Sequence, residues 1–143
     1  MDDAVGRLFA RYESFFNRAL AGEAEMAEMA MLYAAEFIAA TPAGVSTGAN
    51  DDRFHQAMTQ GYAYYRSIGT KEMRLHHIRI LPIDAGHCVA HVGWTAIYAR
   101  PDRPDMEIDF EVHYFVRLLD EEPQVFGWVA GDEQALLKER GII

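Results

Sequence analysis

The chain has 143 residues, half of them hydrophobic and 12% aromatic, which suits one domain with a real core and excludes a disordered chain. Its 22 acidic against 13 basic side chains leave a net charge of −9, a field that repels phosphate backbones and anionic lipid headgroups. Nucleic acid and membrane surfaces are therefore excluded as expected partners. The opening Met1-Asp2-Asp3-Ala4-Val5-Gly6-Arg7 lacks the basic and then apolar regions of a secretion signal, and no uncharged run approaches the ~18 residues of a membrane span, so the expected location is cytoplasmic. The single cysteine, Cys88, has no internal partner and reads as a buried structural thiol.

Asp3 to Leu20 reads as an amphipathic helix, with Val5, Leu8, Phe9, Tyr12, Phe15, Phe16 and Ala19 on one broad face and Gly22 as its stop. A second helix is expected over Glu23 to Ala35, with Met26, Met29, Ala30, Leu32 and Tyr33 as its apolar positions and Glu23, Glu25 and Glu28 suiting the dipole of its early turns. From Phe37 the pattern becomes extended. Thr41-Pro42-Ala43-Gly44 signals a turn, with Val45 to Gly48 as the returning arm. A third helix should start at Asn50 or Asp51, either of which can cap it, and run to Ser67 before Gly69.

Four long strands follow between Met73 and Val129. In the clearest of them Met106, Ile108, Phe110, Val112, Tyr114, Val116 and Leu118 alternate with Glu107, Asp109, Glu111, His113 and Arg117, giving a sheet with one dry face and one polar face. A two-residue turn at Ala85-Gly86 would set Asp84 opposite His87, and His77 and Arg79 would then face Trp94 and Val92 on the dry side. For the next hairpin, the register that shares most apolar surface places Ala90, Val92, Trp94 and Ala96 beside Ile108 to Tyr114. The Glu121-Glu122 pair before Pro123 reads as an exposed turn, and Asp132 as the cap of a short last helix, Glu133 to Arg140.

This order of elements is similar to the nuclear transport factor 2-like superfamily, which includes SnoaL-like polyketide cyclases and ketosteroid isomerases. The resemblance is carried by Leu32-Tyr33-Ala34-Ala35-Glu36-Phe37 running into Thr41-Pro42-Ala43-Gly44, by Gly22, and by Val116-Arg117-Leu118 before an acidic turn. It implies an α+β fold: three N-terminal helices packed on a curved, mostly antiparallel sheet, a cystatin-like cone, with a short C-terminal helix. The resemblance further implies a single domain over residues 1–143, a cavity inside the cone and dimerisation through the outer sheet face. In the steroid isomerase members an aspartate just before the hairpin proline is the general base; this chain has Thr41 there, whose hydroxyl cannot hold a proton near neutral pH. Their oxyanion-stabilising tyrosine and late-strand aspartic acid match Phe15 and Tyr114 here, so only Tyr114 retains a donor.

The candidate site is accordingly a hollow holding His77, Arg79 and Tyr114 as catalytic candidates, with Tyr12, Phe16, Tyr62, Trp94, Tyr98, Phe110 and Trp128 as ligand-binding walls. His77 would move a proton and Arg79 and Tyr114 would stabilise oxygen charge. The structural alternative is that His77 is satisfied by tyrosine or backbone, and Arg79 by a protein carboxylate. His87, His91 and His113 fall on the outer face, where paired histidines beside Glu111 read as a solvated or dimer-facing cluster rather than a metal site. No phosphate-binding glycine loop, G-x-S-x-G elbow or Cys-x-x-Cys pair is present. The expected function is binding of a small hydrophobic molecule by a homodimer without cofactor or metal, its catalytic version being an isomerase, cyclase or dehydratase acting on a carbonyl compound. The alternative is a non-catalytic binding or dimerisation module whose cavity is filled by its own side chains.

Overall fold

The computed structural model describes residues 1–120 and 122–143. Its elements are α1 (Asp2–Leu20), α2 (Met26–Ala30), β1 (Tyr33–Thr41), β2 (Gly44–Ala49), α3 (Asp52–Ser67), β3 (Thr70–Asp84), β4 (His87–Arg100), β5 (Arg103–Leu119), β6 (Glu122–Ala130) and α4 (Glu133–Glu139). The strands form one six-stranded sheet in the order β2-β1-β6-β5-β4-β3, antiparallel throughout except where β1 runs beside β6. The α+β architecture expected from the sequence is therefore present, with the helices on the apolar face of the sheet. Of the Glu121-Glu122 turn, Glu121 lies outside the described residues, while Glu122 is exposed as the first residue of β6.

Helix α1 buries Val5, Leu8, Phe9, Phe15 and Phe16, the stripe its periodicity predicts. It also covers an edge. The Asn17 amide donates to the Met73 carbonyl and accepts from the Met73 amide, both at 2.8 Å, and the Glu13 carboxylate accepts from the Leu75 amide. These side chains satisfy backbone groups that β3, as an edge strand, would otherwise offer to another chain. Asp51 caps α3 by accepting from the Phe54 amide at 3.1 Å, and Asp132 caps α4 by accepting from the Ala135 amide at 2.9 Å. Asn50, the other candidate cap, instead donates to the carbonyls of Ala30 and Tyr33 and bonds His55 at 2.8 Å, which ties that histidine down.

The second helix is much shorter than its residues suggest, ending at Ala30, and Tyr33 already belongs to β1. Leu32-Tyr33-Ala34-Ala35 are acceptable helix formers, but β6 provides a parallel partner far along the chain: Val125 donates to the Leu32 carbonyl at 2.9 Å and Tyr33 pairs with Val125. Tertiary pairing thus overrides local propensity. The hairpin at Thr41-Pro42-Ala43-Gly44 forms as expected, with Thr41 opposite Gly44.

The β4–β5 register is the expected one, pairing Ala90 with Tyr114, Val92 with Val112, Trp94 with Phe110 and Ala96 with Ile108. The β3–β4 register is not. Asp84 does face His87, but a bulge between Pro82 and Asp84 shifts the ladder by one, so that Ile80 faces Ala90, Ile78 faces Val92, Arg79 faces His91 and His77 faces Gly93. A second irregularity at His76 shifts the ladder by one more residue, pairing Leu75 with Trp94 and Met73 with Ala96 and returning both to the dry face. One inserted residue turns every side chain between the bulges to the opposite face. Ile78 and Ile80, expected outside, therefore line the core, and His77 and Arg79 stand outside.

Gly69 joins α3 to β3 with φ 88°, and a Cβ there would lie 2.7 Å from the Ala99 carbonyl oxygen, which is backbone and cannot swing away. Gly69→Ala should destabilise the fold by about 1–3 kcal/mol through strain and crowding together, read as a lowered melting temperature. An unchanged melting temperature would mean that the α3–β3 connection relaxes freely.

Candidate functional site

Between α1, α3, α4 and the dry faces of β4, β5 and β6 lies a cavity of about 540 Å³. Its position follows from strand lengths. The β5–β6 ladder stops at Val112 opposite Ala130, so β5 before Val112 has no partner on that side, and the chain turns at Gly131 into α4. The mouth is framed by this open strand, at Asp109 and Glu111, and by Asp132 and Glu133.

Nine aromatic rings line the hollow: Tyr12, Phe16, Tyr33, Tyr65, Trp94, Tyr98, Phe110, Tyr114 and Trp128. Seven of the ten residues expected at the site are thus brought together: Tyr12, Phe16, Trp94, Tyr98, Phe110, Tyr114 and Trp128. Tyr62 is not among them. It is 4% exposed and packs its ring against Phe15 and Phe16 in the core. His77 and Arg79 are exposed on the outer face, where His77 Nε2 lies 3.1 Å from Glu111 Oε1. The expectation that they share a hollow with Trp94 and Tyr114 is overturned by the bulges in β3.

A polar cluster occupies one wall. The Trp94 indole N–H donates to the Tyr114 hydroxyl at 3.1 Å, and the Tyr33 hydroxyl donates to that of Tyr12 at 3.3 Å. Burial pushes the phenols of Tyr12, Tyr33 and Tyr114 above the ordinary tyrosine range, so all three are neutral donors at physiological pH. The four groups carry four hydrogens and the two bonds use two of them. Even with a further bond between Tyr12 and Tyr114, one hydroxyl hydrogen is left without an acceptor inside the cluster. Tyr98 is pushed up to about 12, first by burial and then by the charge of Glu133.

Glu133 is the group that the sequence reading missed, having treated it only as the start of the last helix. Its carboxylate Oε2 accepts from the Tyr65 hydroxyl at 3.0 Å. The residue as a whole is open at the rim, yet the carboxylate is desolvated enough on the cavity side for its pKa to be raised, an effect that the Tyr65 hydrogen bond partly offsets. Tyr33 and Tyr65 were missed as well. Tyr65 lies within the expected third helix, where nothing local points it to a site, and Tyr33 lies in the expected second helix, which ends before it.

On the outer face His91 and His113 are paired, Nδ1 to Nδ1 at 2.6 Å, and the His91 pKa is lowered by partial burial, then by Arg79 and His113. Among the described residues no three His, Cys, Asp or Glu side chains come together as metal ligands. Cys88 is 1% exposed, and burial raises its thiol pKa, as a structural cysteine requires. No helix among the described residues is long and apolar enough to cross a membrane.

A family model described as NTF2-like protein (DUF6841) matches residues 2–133 of this chain. The chain belongs to that NTF2-like family. Solved structures agree in fold. An NTF2-like protein with a cystatin-like fold from Novosphingobium aromaticivorans superposes with a TM-score of 0.69 at 10% identity, covering 99% of this chain and 88% of that one. An NTF-2 like protein of unknown function from Shewanella oneidensis gives 0.65 at 15% identity, over 92% and 98%. A ketosteroid isomerase-like protein from Erwinia carotovora atroseptica gives 0.61 at 11% identity, over 90% and 93%. No curated protein matches the chain in sequence. At these identities the likeness is one of fold, and the activity must be argued from the residues.

Set against the steroid isomerase pattern, the NTF2-like cavity of this chain keeps little of that chemistry. Thr41 lies in an exposed turn, where its hydroxyl accepts from the Ala43 amide at 3.2 Å. Phe15 is buried against Tyr62 instead of facing the hollow. The first-helix tyrosine that does reach the cavity is Tyr12, about one turn earlier.

Proposed function

We propose that this NTF2-like protein binds one small, mostly hydrophobic molecule per chain, with an oxygen acceptor of that molecule directed at the Tyr12, Tyr33, Tyr114 and Trp94 cluster. The observation that carries the reading is the 540 Å³ aromatic hollow, which falls inside the range of about 300–1,000 Å³ usual for ligand sites. A cavity filled by its own side chains would have left no such space. Neutral phenols can hold a carbonyl or hydroxyl oxygen but cannot themselves take a proton from carbon, so this cluster is suited to binding the molecule's oxygen. The test is native mass spectrometry of the gently purified protein. A bound species of a few hundred daltons, released on denaturation, is expected from the size of the hollow. Protein that stays at its bare mass and also ignores a panel of small aromatic ketones, alcohols and amines would refute the proposal.

The same protein is proposed to act as a homodimer through the outer sheet face. Ile38, Gly127, Phe115, Val89 and Leu81 form one continuous row across five strands, in register. Ile38 and Leu81 are 50% and 53% exposed, an apolar stripe that gains by being covered. Sedimentation velocity should give a dimer for the native chain and a monomer for Phe115→Asp. A native monomer at micromolar concentration would remove this part of the proposal.

A further inference from the structure

The charges around the cavity narrow the chemistry of its guest, an inference that rests on the binding role proposed above. Four lining residues are acidic, Asp109, Glu111, Asp132 and Glu133, and none is lysine, arginine or histidine. Three of the four carboxylates are engaged elsewhere. Asp109 accepts from the Thr95 hydroxyl at 2.7 Å, Glu111 meets His77 on the outer face, and Asp132 caps α4. Glu133 is different. Its hydrogen-bond partner, the Tyr65 hydroxyl, itself belongs to a cavity-lining residue, whereas Asp109 and Asp132, which like Glu133 form no ion pair among the described residues, are bonded to Thr95 and to the α4 cap amide outside that lining.

A carboxylate on the edge of an aromatic hollow, with one oxygen uncommitted, is placed to accept from a positive donor seated in that hollow. Its influence is not confined to the rim. The charge of Glu133 contributes to the raised phenol pKa values of Tyr12, Tyr65 and Tyr98, so the negative potential extends along the cavity walls. Those walls are themselves suited to a cation, because aromatic faces carry negative charge density and attract ammonium groups without hydrating them. The net charge of −9 acts in the same sense on any approaching ligand.

We propose that the cavity selects a hydrophobic amine, its ammonium group held at the Glu133 carboxylate beside Tyr65 and its apolar body among Trp94, Phe110 and Trp128. An anionic guest meets the opposite field: Arg79, expected to stabilise oxygen charge in the hollow, is on the other side of the sheet, and the cavity lining offers no counter-charge.

The test compares three probes on one scaffold, 2-naphthylmethylamine, 2-naphthylmethanol and 2-naphthoate, by isothermal titration calorimetry at pH 7. The amine should bind about tenfold or more tightly than the alcohol, and the carboxylate more weakly than either, as expected for a charge-assisted contact in an aromatic surround. Glu133→Gln, which keeps an acceptor for the Tyr65 hydroxyl, should remove the amine's advantage. If that variant does not fold, the order of the three probes on the native chain still decides. An alcohol that binds as well as the amine, or an amine preference that survives in Glu133→Gln, overturns this inference and leaves the binding role standing. Failure of all three probes to bind overturns both.

Discussion

Phe9→Ala should lower the stability of the protein by about 3–5 kcal/mol, a large share of the roughly 5–15 kcal/mol that holds a domain of this size together. Phe9 is 0% exposed on the buried face of α1, and its ring lies 4.8 Å from that of Tyr114 and 6.2 Å from that of Tyr12. Removing it therefore opens a void where α1 meets the sheet. The loss should also disturb the site, because Tyr12 and Tyr114 are the two phenols whose hydrogen bonds reach Tyr33 and Trp94. Urea unfolding should show a lower midpoint with an unchanged slope. A loss below about 1 kcal/mol would mean that α1 is not seated on the sheet through this ring.

Ala130→Trp should reduce the affinity for any guest at least about tenfold, or 1.4 kcal/mol, with little change in stability. Ala130 pairs with Val112 at the last rung of the β5–β6 ladder, shares the inner face with Trp128, and lines the cavity where it opens. It is only half-buried, so an indole at this point can enter the mouth without overpacking the core. Calorimetry with 2-naphthylmethanol on the native chain and the variant reads the effect. Equal affinities would move the binding site away from this mouth.

How much of this was legible in the sequence depended on whether a side chain's direction is fixed locally. The alternation from Met106 to Leu118 could be read directly, because β5 pairs with β4 without interruption from His87 to Tyr98 and its dry face has no competing pattern. Six aromatic residues of the cavity followed from that strand, from the stripe of α1 and from the facing register of β4, and a seventh, Trp128, stands on β6. The faces of His77 and Arg79 were misplaced because a ladder counted unbroken from Asp84 opposite His87 carries the wrong phase past the bulge at Pro82/Asp84 as far as His76. In residues 75–80, Leu-His-His-Ile-Arg-Ile, the adjacent His76-His77 breaks the alternation, and the packing of Ile78 and Ile80 against the core agrees with the face that the following His-Ile-Arg-Ile favours. Tyr33 was hidden for another reason: its partner Val125 is far away in the chain, and a parallel pairing has no local signal. Glu133 was hidden by its position, since an acidic residue in the first turn of a helix already has an adequate explanation there.

These differences moved the chemistry more than the fold. Once His77 and Arg79 leave the hollow, its polar character rests on neutral phenols, one indole N–H and a rim carboxylate, a set that holds a molecule in place better than it transforms one. The outer histidines then belong with the proposed dimer face, in the row Val129, His113, His91 and Arg79 next to the apolar row through Phe115.

The most direct test of the central claim, that the aromatic hollow is a binding site, is titration with the neutral hydrophobic probe N-phenyl-1-naphthylamine while following tryptophan emission. Both tryptophans, Trp94 and Trp128, line the cavity. The predicted result is saturable binding of one probe per chain, with both tryptophans quenched by energy transfer to it and the quenching lost when a tighter guest displaces the probe. Weak, non-saturating enhancement with tryptophan emission unchanged would contradict it.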